Sequence, residues 1–170
     1  MLDRARWATT KSFVPDTRAQ GDGRATAVEG TASGRGTIVV GFILTPEGQA
    51  AVDAAVTETA RRGARLVVVH SARGGSHTDS DTVVRYREEF ARLEERLRTE
   101  GIEHDLHELI LGRDPAEDLV ETSKRTGAEL IVIGLRRRSP IGKLILGSNA
   151  QEILLFADCP VLAVKAPAGS

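Results

Sequence analysis

A single cysteine, Cys159, in 170 residues leaves no partner for an intrachain disulfide. The fold must therefore rest on packing and hydrogen bonding, and the expected location is a reducing one, the cytoplasm. Aromatic residues are scarce, with four Phe, one Tyr and one Trp, and they are not interleaved with the basic residues as base-stacking platforms require. The longest apolar runs are about five residues, far below the roughly 20 that span a bilayer, and the N-terminus carries no apolar signal-peptide core. There is no charge excess either. With 23 Lys and Arg against 24 Asp and Glu, the net charge is −1, so any attraction for anions must be local. What remains, 41% apolar and 28% charged, describes one soluble domain with a sizeable core.

Residues 1–36 differ from the rest. "QGDGRATAVEGTASGRG" is rich in Gly, Ala, Ser and Thr and has no apolar period, so it cannot bury enough surface to offset its ordering entropy. It is expected to be a disordered extension or a tail that docks on a partner. From Thr37 to residue 166 the signals alternate, and 167–170 read as a short tail. "TIVVGF" (37–42) is a strand; Thr45 and Pro46 supply an N-cap and a proline at the first helical position, and Gly63 ends the helix. "RLVVVH" (65–70) is a second strand. The helix that follows carries Val83, Tyr86, Phe90, Leu93 and Leu97 on one face and closes at Gly101. "EHDLHELIL" (103–111) mixes polar and apolar residues as an edge strand does. Asp114, Pro115 and Glu117 start a third helix that ends at Gly127, "ELIVIG" (129–134) is the most hydrophobic strand, and "NAQEILLFA" and "CPVLAVK" supply the last helix and strand. Short apolar strands alternating with helices predict parallel strands buried on both faces, a doubly wound α/β domain. Ligands of such sheets sit beyond the carboxyl ends of the strands, where strand order reverses. The loops after the first and fourth strands are the candidates.

The second of these loops lies in "GLRRRSPIGKLILGSNA" (134–150), where Arg136, Arg137, Arg138 and Lys143 meet no acidic residue and give a net charge of +4. It is not a P-loop: Lys143 is followed by Leu144, and Arg137 stands where the first glycine belongs. "GRG" at 34–36 precedes a strand and lacks the third glycine of a dinucleotide fingerprint. "RGGSHTDSD" follows the second strand and lacks the aspartate spacing of a pyrophosphatase-type loop. The chemical case rests on free N–H groups at a helix N-terminus after Gly147, which favour an anion, with arginines adding charge-assisted bonds to phosphate oxygens. Against it, Ser148-Asn149-Ala150-Gln151 reads as a capping box, which needs no ligand. His70, His77, His104 and His107 have no metal-ligand spacing, and the odd offset puts His104 and His107 on opposite faces of a strand, so no metal site is expected. Asp79 and Asp81 read as solvated loop residues, and Cys159 as an ordinary buried thiol.

The block from Leu111 to Lys165 resembles the universal stress protein family. "LGRDPAEDLVETSKRTGAELIVIG" is similar to that family's G-x-P-x-x-x-I…A-D-L-I-V-M-G segment, residues 134–148 follow its G-x2-G-x9-G-[S/T] nucleotide loop, and "CPVLAVK" is similar to its closing strand. With "TIVVG", the resemblance runs from about residue 37 to 166. It implies a five-stranded parallel sheet in the order 3-2-1-4-5, a homodimer through the last strand (160–165), and, as in many members, binding of ATP or another adenine nucleotide. Two positions depart from the pattern. Arg137 replaces the second glycine of the loop, and Ile43 stands where an aspartate after the first strand helps to hold adenosine.

The expected ligand set is therefore Gly147, Ser148 and Asn149 through their amides, Gly134 giving access, and Arg136–Arg138 and Lys143 neutralising charge. Thr45, in the loop after the first strand, completes it. The leading expectation is a stress-response protein that senses or stores an adenine nucleotide without rapid turnover. The alternative is a nucleotide-independent dimeric module that engages a protein partner, favoured by the departures at Ile43 and Arg137. A third reading, a weak ATPase or phosphotransferase, lacks a visible base or nucleophile.

Overall fold

Strand and helix alternate from Thr37 to Lys165 in a computed structural model that describes residues 11–13, 35–71, 80–109, 114–135 and 146–166. Five strands of the sheet run parallel: β2 (Thr37–Gly41), β3 (Arg65–Ser71), β4 (His104–Leu109), β5 (Leu130–Leu135) and β6 (Val161–Lys165). They lie in the order β4-β3-β2-β5-β6, which is 3-2-1-4-5 when these five are counted alone. β2 is central, with Ile38 opposite Leu66 on one side and Leu130 on the other. Ile38, Val39 and Val40 have no exposed surface, the result expected of a parallel strand covered on both faces.

Alternation along β2 divides the core in two. Ile38 and Val40 point to a cluster built with α1 (Pro46–Arg62) and α2 (Ser80–Thr99), including Val52, Leu66, Leu97 and Val132. Val39 points the other way, to Val67, Leu119, Ile131 and Ile153, beneath α3 (Pro115–Thr126) and α4 (Ser148–Phe156). The helix limits follow the sequence signals. Thr45 Oγ1 accepts from Gly48 N at 3.2 Å, and Asp114 Oδ1 accepts from Ala116 N at 3.0 Å. α1 and α3 both end at glycines with left-handed φ, Gly63 at 61° and Gly127 at 60°, a conformation that a side chain disfavours.

Two expectations are corrected. Lys11–Phe13, within the extension expected to be disordered, forms a short strand, β1, antiparallel to β4 with Ser12 opposite Asp105. A strand added to an edge needs backbone pairing rather than an apolar period, so the composition of 1–36 gave no sign of it; the remainder of that segment up to residue 34 lies outside the described residues. The second correction concerns α4. Its N-cap is Gly147, Gln151 N bonds to Gly147 O at 3.0 Å, and no side chain among the described residues caps the helix. Ser148 thus occupies the first helical position, one residue too late for a capping box. Its hydroxyl instead meets Asn149 Oδ1 at 3.4 Å.

Candidate functional site

In this strand order the chain turns from the β2-β3-β4 side to the β5-β6 side next to β2, so a crevice opens where β2 and β5 end. A cleft of about 130 Å³ occupies that place, on the α3 and α4 side of the sheet. Its floor is the end of β2 (Gly41, Phe42, Ile43), with Val69 and Ser71 of β3 on one flank and Ile133 and Gly134 of β5 on the other. Pro115, Ala116 and Leu119 of α3 and Asn149, Ala150 and Ile153 of α4 form the walls. The surroundings are mostly apolar. The uncapped first turn of α4 stands at the β5 end, where its amides and the helix dipole favour an anion.

The glycines at this site have different causes. A Cβ on Gly134 would lie 2.4 Å from Glu47 O and 2.6 Å from Glu47 C, so a glycine is required for the start of α1 to pack on β5. Ligand access was the expected reason; close backbone packing is the one the geometry supplies. Among the described residues Gly147 has nothing within 4 Å of such a Cβ, and its φ is an ordinary −67°, so neither their packing nor the backbone conformation requires a glycine there. Gly48, which no sequence signal singled out, is held by Ile43: its Cβ would fall 2.1 Å from Ile43 O.

Of the expected ligand residues, Gly134 and Asn149 line the cleft, and Gly147 and Ser148 lie immediately before Asn149 at the same helix start. Thr45 is not brought to them. Its hydroxyl caps α1, and it lines a separate cleft of about 490 Å³ with Arg85, Glu88 and Arg92. Arg136, Arg137, Arg138 and Lys143 lie outside the described residues. Ile43 lines the cleft and is 44% exposed, presenting a hydrocarbon side chain that cannot accept a hydrogen bond. Among the described residues no group of three or more His, Cys, Asp or Glu is placed to hold a metal, and no helix is long and apolar enough to cross a membrane.

A profile of the universal stress protein family matches residues 34–165. The chain belongs to that family. It is 38% identical over 134 residues to a universal stress protein of Mycolicibacterium smegmatis, covering 75% of this chain and 96% of the relative. The structure of a universal stress protein from Archaeoglobus fulgidus superposes with a TM-score of 0.65 at 34% identity, covering 77% of this chain and 98% of that one. A structure of the universal stress protein from the same organism in complex with dAMP gives a TM-score of 0.60 at 30% identity, covering 76% and 98%. The segment before residue 34 falls outside the family match.

Two features of this universal stress protein went unread in its sequence. Ser71 Oγ donates to Asp118 Oδ2 at 2.6 Å beside the cleft, and Asp118 is only 3% exposed. The available signal was an acid at position 118, next to Leu119 and one turn before Thr122 on the inner face of α3. On the opposite face of the sheet, His70 Nδ1 donates to Phe42 O at 3.3 Å, and the imidazole stacks on Tyr86 with ring centroids 4.0 Å apart. Burial pushes the His70 pKa below its usual 6.5, against the opposing pull of the Phe42 carbonyl and the Glu108 charge. His70 therefore braces, from behind, the strand end that forms the cleft floor.

Proposed function

We propose that this chain is a stress-response protein of the cytoplasm that binds an adenine nucleotide in the cleft at the ends of β2 and β5, as a sensor or store. The observation that carries the reading is the first turn of α4, which opens, among the described residues, without a side-chain cap beside an apolar cleft at the strand-order reversal. A base and sugar suit the apolar walls, and phosphates suit the amides of Ser148, Asn149 and Ala150. The sequence between β5 and α4, residues 136–145, contains four basic residues and no acid. The Archaeoglobus fulgidus relative solved with dAMP supports the ligand class. Ile43 gives no hydrogen bond where an aspartate was expected, so affinity rests on the phosphates and on burial of the base. Isothermal titration of the intact chain with ATP, ADP and AMP tests this. Saturable heat with a rise in Tm is expected, and flat titrations at millimolar nucleotide would end the reading.

A second reading, compatible with the first, is a homodimer through β6. Among the described residues one edge of β6 is unpaired; Leu162 on that strand is 37% exposed, and Leu154, Leu155 and Phe156 at the end of α4 are 45, 77 and 59% exposed, apolar surface that suits an interface. Light scattering should give twice the chain mass for the wild type and the single-chain mass for Leu155→Glu/Leu162→Glu. A monomeric wild type at high concentration would refute it.

A further inference from the structure

Polar side chains are few at the cleft, and one of them is held by a partner that fixes what it can do. Ser71 ends β3 and turns its side chain to the α3 face, where Oγ donates to Asp118 Oδ2 at 2.6 Å. The Asp118 side chain is buried and takes the acceptor's part in this bond, with the serine hydroxyl as donor. A serine hydroxyl has a single proton. Once it is committed to Asp118, the surface that Ser71 gives to the cleft offers lone pairs only.

We propose that Ser71, locked by Asp118, is a specificity-determining residue that selects a 6-aminopurine over a 6-oxopurine; the inference rests on reading the cleft as a purine-nucleotide site. Strand order supplies the placement. The α4 N-terminus stands at the β5 flank of the cleft and Ser71 at the β3 flank, with β2 between them. At about 4.8 Å per strand spacing the two ends are roughly 10 Å apart, a span that a sugar and a base cover when the phosphates rest on α4. The base is then the part of the ligand beside Ser71. An exocyclic amine donates to Oγ, whereas an oxo group sets one acceptor against another and leaves both unpaired. Asp118 touches no ligand in this arrangement and acts as a positioning residue.

The test is titration of the intact chain with AMP, IMP and purine riboside monophosphate, which carry an amine, an oxo group and a hydrogen at position 6. AMP is expected to bind about tenfold or more tighter than either of the others, the loss of one partly buried hydrogen bond. Ser71→Thr, which keeps the hydroxyl, should keep that ratio; Ser71→Val, which has the same shape without it, should bring AMP to the level of purine riboside monophosphate. A change in stability alone would not move the ratio. Equal affinity of the wild type for AMP and IMP, or an unchanged ratio in Ser71→Val, would overturn the selection while leaving the nucleotide site standing. Absence of binding by all three would overturn both.

Discussion

Replacing Gly134 and Gly147 by alanine separates a glycine required by packing from one that leaves room for a ligand. At Gly134 the added methyl would meet Glu47 O at 2.4 Å and Glu47 C at 2.6 Å, about 1 Å inside normal contact. Both atoms are backbone at the start of α1, so no side chain can swing away. Overpacking of this kind costs about 1–3 kcal/mol, and the reduced freedom of the unfolded chain returns about 0.4–1 kcal/mol. The net loss of about 1–2 kcal/mol should lower Tm by roughly 2–8 °C. At Gly147 the methyl meets nothing within 4 Å among the described residues and φ is −67°, so the poorer N-cap preference of alanine is the effect expected, on the order of 0.5 kcal/mol. Thermal and urea unfolding followed by circular dichroism, beside titration with ATP, measure both effects. Gly134→Ala should lose stability, whereas Gly147→Ala should hold its stability and lose affinity. An unchanged Tm in Gly134→Ala would refute the packing argument, and a fall as large in Gly147→Ala would refute the distinction between the two.

Gly147→Asp supplies a side-chain cap for α4; it should raise stability by a few tenths of a kcal/mol, on the order of 0.3, while repelling phosphate, so unfolding and titration should move in opposite directions. Burial lowers the pKa values of His70 and His107 below 6.5. The unfolded chain therefore binds protons first, and stability should be complete above pH 6.5 and fall as pH drops below it. Part of that slope should vanish in His70→Gln, as read by Tm across pH 7.5 to 5.5. Arg65 pairs with Asp105 at 3.0 Å, and the Asp105 side chain is only 8% exposed. Arg65→Met should leave that carboxylate buried without its cation and cost about 1–3 kcal/mol by urea unfolding, with the loss reduced in Arg65→Met/Asp105→Asn.

The fold was legible because its determinants are local. Apolar runs at 37–42, 65–70 and 129–134 mark strands buried on both faces, and Thr45, Gly63, Asp114 and Gly127 set helix limits through their own side chains or φ values. Strand order was not written in those patterns and came through the family resemblance. The site was legible only where it coincides with a helix start. Ser148 carried the cap signal but sits one residue inside α4, a shift that sequence spacing does not resolve. Thr45 is polar and near the first strand, yet its hydroxyl is used by α1. The reason for Gly134 lies in Glu47, 87 positions earlier in the chain, and the Ser71–Asp118 bond joins residues 47 apart. No one-dimensional pattern encodes such contacts between elements, and β1, held by backbone pairing to an edge, leaves no side-chain period to read.

In the proposed complex the first turn of α4 holds the phosphates of an adenine nucleotide whose base lies across the ends of β2 and β3. Amide NMR of the ¹⁵N-labelled chain titrated with AMP tests it most directly. Saturable shifts are expected, largest at Ser148, Asn149 and Ala150 and accompanied by Gly41 and Ser71, with inorganic phosphate moving the α4 amides alone. Saturation of the chain with AMP while the Ser148–Ala150 amides stay in place would contradict it.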